Sequence, residues 1–120
     1  NVEPPKSVPD ASTTITGVKN AGAGLPDKFA LEQNYPNPFN PVTTIRYAVP
    51  VESRVTLKIY NVLGQLVGSL VDGIQHAGYQ SVPWNASNVA SGVYFYRLEA
   101  TSTTEPGKAF TNVKKMLMIR

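Results

Sequence analysis

The sequence predicts an all-β domain, a two-sheet antiparallel β-sandwich of six to eight strands. From Phe29 onward, strand signals recur roughly every 8–12 residues between turn-forming residues. Ten prolines and nine glycines punctuate a 120-residue chain that is otherwise rich in Val, Ile, Thr and Tyr. No window carries a convincing helical period. Hydrophobic residues make up 42% of the chain, enough for one core.

Residues 1–28 stand apart from the rest. Proline, glycine and small polar residues dominate them, which is the composition of a linker. One stretch, Ser12-Thr13-Thr14-Ile15-Thr16-Gly17-Val18, has strand propensity. Thr13, Thr14, Ile15, Thr16 and Val18 are therefore candidates for a donor strand, packed on the same molecule or on a neighbour. The domain proper is expected over 29–120.

Within the domain, VTTIRYAV (42–49) places Ile45, Tyr47 and Val49 on one face and Thr44, Arg46 and Ala48 on the other. RVTLKIYN (54–61) alternates more cleanly, with Val55, Leu57 and Ile59 inward and Thr56, Lys58 and Tyr60 outward. Asn61-Val62-Leu63-Gly64 then turns the chain, Gly64 being free to take positive φ. QLVGSLV (65–71) predicts a short strand, and His76 falls in an expected hairpin turn at 73–78. GYQSVPW (78–84) is a further strand, which Pro83 assigns to an edge or a strand end. SGVYFYRLEA (91–100) is the strongest strand. Tyr94, Tyr96 and Leu98 face inward there, leaving Phe95 exposed or between sheets. Thr101–Gly107 is a polar hairpin loop, and AFTNVKKMLMIR (109–120) closes the fold.

The stretch QNYPNPFNP (33–41) is the most distinctive in the chain, with three prolines and three asparagines in nine residues. Pro36, Pro38 and Pro41 fix φ and push the preceding residues toward extended backbone. Asn37 and Asn40 make compact turns by bonding their own backbone. The result is a stiff corner, pinned to the core by Tyr35 and Phe39. It is either a rigid lead-in that caps one end of the sandwich or an exposed shape that a partner reads.

Bulk chemistry excludes several classes of function. The net charge of +3 is mild, and the basic residues are scattered until Lys108, Lys114, Lys115 and Arg120, so no nucleic-acid stripe is expected. There is no cysteine, hence no disulfide, thiolate metal site or cysteine nucleophile. No apolar run is long enough to span a membrane. Asn1-Val2-Glu3-Pro4-Pro5 does not resemble a signal peptide, so the chain is expected to be cytosolic or a mature or excised piece of something longer. His76 is the sole histidine, the carboxylates are dispersed, and no serine sits in Gly-x-Ser-x-Gly. No phosphate-cradling glycine motif is present. We therefore expect no enzyme activity and no cofactor. Trp84 and the tyrosines at 94 and 96 are read as core rather than as a sugar platform.

Four motifs together carry a resemblance. They are LEQNYPNPFNPVTTIRYAVP (31–50), VTLKIYNVLGQLV (55–67), AGYQSVPWNASNVASGVYFYRLEA (77–100) and KKMLMIR (114–120). In order and spacing, 29–120 resembles the C-terminal sorting domain of the type IX secretion system, and it is similar to the Ig-like domain of flagellar hook-capping proteins. The resemblance implies an Ig-like sandwich of about seven strands on a secreted or cell-surface bacterial protein. It implies partners too: an outer-membrane translocon that reads the domain and a surface sortase that removes it. Pro36, Asn37 and Pro38 match the first motif, Gly92, Val93 and Tyr94 the second, and Lys114, Lys115 and Arg120 the basic end. Trp84-Asn85-Ala86 departs from the Trp-Asp-Gly of many relatives, so no calcium site is expected. Ser91–Tyr96 also has the look of the tyrosine corner of Ig domains. A second function is an extracellular filament subunit, in which copies assemble by strand exchange through the N-terminal segment. A third is a sugar-binding or hook-capping accessory domain.

Overall fold

The structure is a computed structural model and describes residues 24–120. The donor-strand candidates at 13–18 lie outside the described residues. Seven strands occupy the remainder: β1 Ala30–Leu31, β2 Val42–Val49, β3 Ser53–Asn61, β4 Leu66–Gln75, β5 Gly78–Asn85, β6 Gly92–Ser102 and β7 Ala109–Met118. They form two antiparallel sheets, ordered β1-β2-β5 and β4-β3-β6-β7. This is the two-layer sandwich that the strand spacing predicts, each sheet burying one face against the other.

The alternation read from the sequence sets the core. Ile45, Tyr47 and Val49 of β2 face Val55, Leu57 and Ile59 of β3 together with Tyr96 and Leu98 of β6, all buried. Trp84, Tyr94, Met116 and Met118 fill one end of the same core. Burying each such side chain stabilises the fold by about 1.5–3 kcal/mol before chain entropy opposes it. Ala48, expected on the wet face, is buried as well.

Three local expectations are corrected. Tyr35 does not pin the corner: it is 73% exposed, and Phe39, at 2%, is the peg. The strand at 65–71 is not short, because pairing with β3 continues to Gln75. His76 does not lie in a hairpin, since β4 and β5 belong to different sheets and residues 76–77 carry the chain across. That crossing is tied by the hydroxyl of Tyr47 in β2, which donates to Gln75 Oε1. Other expectations hold. Pro83 sits on β5, an edge strand, where no ladder donor is missed. Gly64 has φ of 80°. Tyr94 donates to the carbonyl of Ala90, the back-bond of a tyrosine corner.

The segment from Phe29 to Phe39 closes one open side of the sandwich. It first pairs with sheet one, through Ala30 opposite Ala48 and a two-way backbone bond between Tyr35 and Thr44. It then crosses to sheet two, where Phe39 forms a parallel bridge with Met118. Phe29 stacks on Phe110 of β7, with ring centroids 5.8 Å apart.

Candidate functional site

The corner at 35–41 is held at both ends by buried groups. Its Tyr35-Pro36, Asn37-Pro38 and Asn40-Pro41 peptide bonds are all cis. Asn34 and Thr43 are buried polar residues beneath it. Asn34 Nδ2 donates to Thr43 Oγ1 at 2.9 Å, and Thr43 Oγ1 donates to the carbonyl of Pro36 at 2.8 Å. Tyr96 of β6 reaches the same place from the opposite sheet. Its hydroxyl accepts from the backbone N–H of Asn34 at 2.8 Å and donates to the carbonyl of Glu32 at 2.7 Å. Burial pushes the Tyr96 phenol up to about 12, against the opposing effect of the Asn34 bond. Every buried polar group here has a partner, so the corner is fixed rather than loosely attached.

From that base the corner reaches the last strand. The side-chain carbonyl of Asn37 accepts from the backbone N–H of Leu117 at 3.0 Å. Phe39 N–H donates to the carbonyl of Leu117 at 3.0 Å, and its own carbonyl accepts from Ile119 N–H at 2.9 Å. Gln33 Nε2 donates to the carbonyl of Lys115 at 2.8 Å. These contacts satisfy the outer edge of β7 along its final turn of chain, where an open edge would otherwise template further pairing. Beneath them the rings are continuous. Phe39 lies 5.8 Å from Trp84, and Trp84 meets Tyr94 edge-on at 5.6 Å.

Residues from three of the four resemblance motifs therefore meet at one end of the sandwich. Gly92, with φ of 148°, opens β6 opposite Met118, in a region that disfavours a side chain. Val93 pairs with Leu117, and Tyr94 with Met116. A depression of about 150 Å³ is lined by Asn37, Val93, Lys115, Met116 and Leu117, so each of these three contributes to it. Pro36 and Pro38, which flank Asn37, are exposed.

The basic end is not one patch. Strand alternation sends Lys114 toward the Met116 side and Lys115 to the outer face. Arg120 is spent on structure: its guanidinium donates to the carbonyls of Ala86 at 3.2 Å and Ser87 at 3.1 Å, and to that of Val89. It thereby fastens the 86–89 turn, which Asn85 also braces by accepting from Ser87 N–H at 2.9 Å. The Asn34–Thr43–Tyr96 network was not singled out in the sequence. Its only signal is a third asparagine ahead of the proline run. No group of His, Asp and Glu able to hold a metal is present among the described residues. Among the described residues no helix is long and apolar enough to cross a membrane.

A seven-stranded sandwich with a tyrosine corner and a strap that switches sheets defines an Ig-like β-domain. The chain matches the secretion system C-terminal sorting domain family over residues 33–112 and belongs to that family. It is thus a sorting domain of the type IX class. The crystal structure of dimeric latent PorU from Porphyromonas gingivalis shares the fold, with a TM-score of 0.59 at 22% identity over 82% of this chain. The chain covers 10% of PorU. CopC from Methylosinus trichosporium OB3b aligns at a TM-score of 0.46 and 14% identity, over 75% of this chain and 92% of CopC. No curated protein matches the sequence.

Proposed function

We propose that residues 29–120 form a non-catalytic address on an exported bacterial protein, joined to it through 1–28. The outer-membrane translocon of the type IX system reads the domain, and the protein is delivered to the cell surface or the medium. A surface sortase then removes the domain where cargo is anchored. One observation carries this reading. Asn37, Val93 and Lys115, far apart in sequence, line a single depression. A corner fixed by prolines and buried hydrogen bonds loses little conformational freedom on binding, which suits recognition by shape. The groups there offer shape, a carboxamide and one cation, not a nucleophile beside a base.

The test is export of a periplasmic reporter fused to residues 19–120 in a type IX host. The expected result is reporter on the surface or in the medium. Reporter held in the periplasm, with the domain folded, sinks the proposal.

A second reading rests on β4, a ten-residue edge strand whose outer side no other described residue covers. Residues 12–18 of a neighbouring copy would add to such an edge and build a filament. Under it, the full chain polymerises and a chain lacking 1–18 stays a folded monomer. A monomeric full chain rules it out.

A further inference from the structure

The outer face of the β4-β3-β6-β7 sheet is divided into two unlike halves. Near the corner, Leu66, Tyr60, Phe95 and Lys115 lie in one row across the four strands. Val93 and Leu117 form the next row, beside the Asn37 depression. Leu66 is 57% exposed and Leu117 38%. Leu63, on the β3–β4 turn at the same end, is 78% exposed. The other, more polar half carries the ion pairs, Arg97 meeting Glu99 at 2.5 Å and Arg54 meeting Asp72 at 2.8 Å, with Val113 and Ile74 exposed among them. Both carboxylates of this face are thus in the polar half. The apolar half is bordered by Lys115 and by Lys58 in the adjoining row, neither in a salt bridge among the described residues.

We propose that this apolar half is a docking surface for a protein of the export machinery that presents an apolar patch rimmed by carboxylates. The inference rests on the sorting reading and names the surface that is read, extending it from the corner onto the sheet. Leu63, Leu66 and Leu117 are exposed together at this end, and clustered exposed apolar side chains on a single domain mark contact sites. Charge selects the occupant. A second copy offers the two lysines no free carboxylate from this face, since Asp72 and Glu99 are already paired with Arg54 and Arg97. Two lysines are fewer than the four to eight that anchor a protein to anionic lipid.

The test uses the full chain fused to a periplasmic reporter in a type IX host. Three variants accompany it: Leu66→Glu, the double charge reversal Lys58→Glu with Lys115→Glu, and Asp72→Asn in the polar half as a control. Thermal melts keep only variants within a few degrees of the parent. The expected result is a tenfold or greater fall in exported reporter for Leu66→Glu and for the double reversal, with the control unchanged. Export of both at the parental rate overturns the docking surface and leaves the sorting reading standing. If the parent itself stays in the periplasm, the sorting reading fails and the docking surface falls with it. Two further results also overturn it: a concentration-dependent dimer of the parent abolished by Leu66→Glu, which points to self-association, or Lys58- and Lys115-dependent flotation with phosphatidylglycerol vesicles, which points to lipid.

Discussion

Replacing Tyr96 with Phe removes one oxygen and leaves the ring, so no cavity forms and the cost is that of hydrogen bonds alone. The hydroxyl joins the backbone N–H of Asn34 to the carbonyl of Glu32, at 2.8 and 2.7 Å. Asn34 is 2% exposed, so its N–H loses its partner with no access to water. A buried donor left unsatisfied costs about 1–3 kcal/mol. The Glu32 carbonyl is nearer solvent and adds less. The expected loss is about 2 kcal/mol, which lowers Tm by about 8–16 °C for a domain of this size. The assay is reversible thermal and urea unfolding of the full chain. Tyr60→Phe, on the outer face and with no hydroxyl hydrogen bond among the described residues, serves as the matched control and changes stability by less than about 0.5 kcal/mol. A Tyr96→Phe loss below that same figure refutes the claim that this hydroxyl locks the strap.

Trp84→Ala opens the aromatic run between Phe39 and Tyr94 and costs about 3–5 kcal/mol, read by urea unfolding together with loss of near-ultraviolet circular dichroism. Asn37→Ala removes the acceptor for Leu117 N–H and speeds hydrogen exchange at that amide, with a stability loss of about 1 kcal/mol; unchanged exchange contradicts it. Tyr47 and Tyr96 are both raised by burial to about 12 in the folded protein, above the ordinary phenol value of 10.0. Their folded forms hold the proton more tightly than the unfolded chain does. The stability they contribute is therefore whole below pH 10 and is lost as pH rises through about 12. Urea midpoints measured across that window fall steeply in the parent and less steeply in Tyr47→Phe.

What was legible in the sequence was periodic. Val55, Leu57 and Ile59 alternate with outward residues, and their burial followed from that alone. Tyr94 and Tyr96 were likewise placed by the two-residue period. What escaped was set by partners distant in sequence. Tyr35 and Phe39 are both aromatic residues in the same proline run, yet only Phe39 has Trp84 within reach. The length of β4 depends on β3 supplying pairing as far as Ser53, which no local window contains. Lys114 and Lys115 read as a pair along the chain, but a strand separates neighbours onto opposite faces. Arg120 read as a free basic end, and the carbonyls that occupy it lie more than thirty residues back.

The strap between Phe29 and Phe39 has a consequence for the order of events in the chain's life. Its parallel bridge joins position 39 to position 118, and Ile119 closes on the carbonyl of Phe39. The loop so closed contains almost the whole domain. It cannot be fastened until the chain between those positions has gathered on one side of any barrier. Loop closure of this length opposes folding until its contacts form, so sealing is a late event. A chain still threaded through a narrow passage would hold Asn37 and Lys115 on different sides, with the depression unformed. The depression between Asn37, Val93 and Lys115 thus exists only once both ends of the domain have come together.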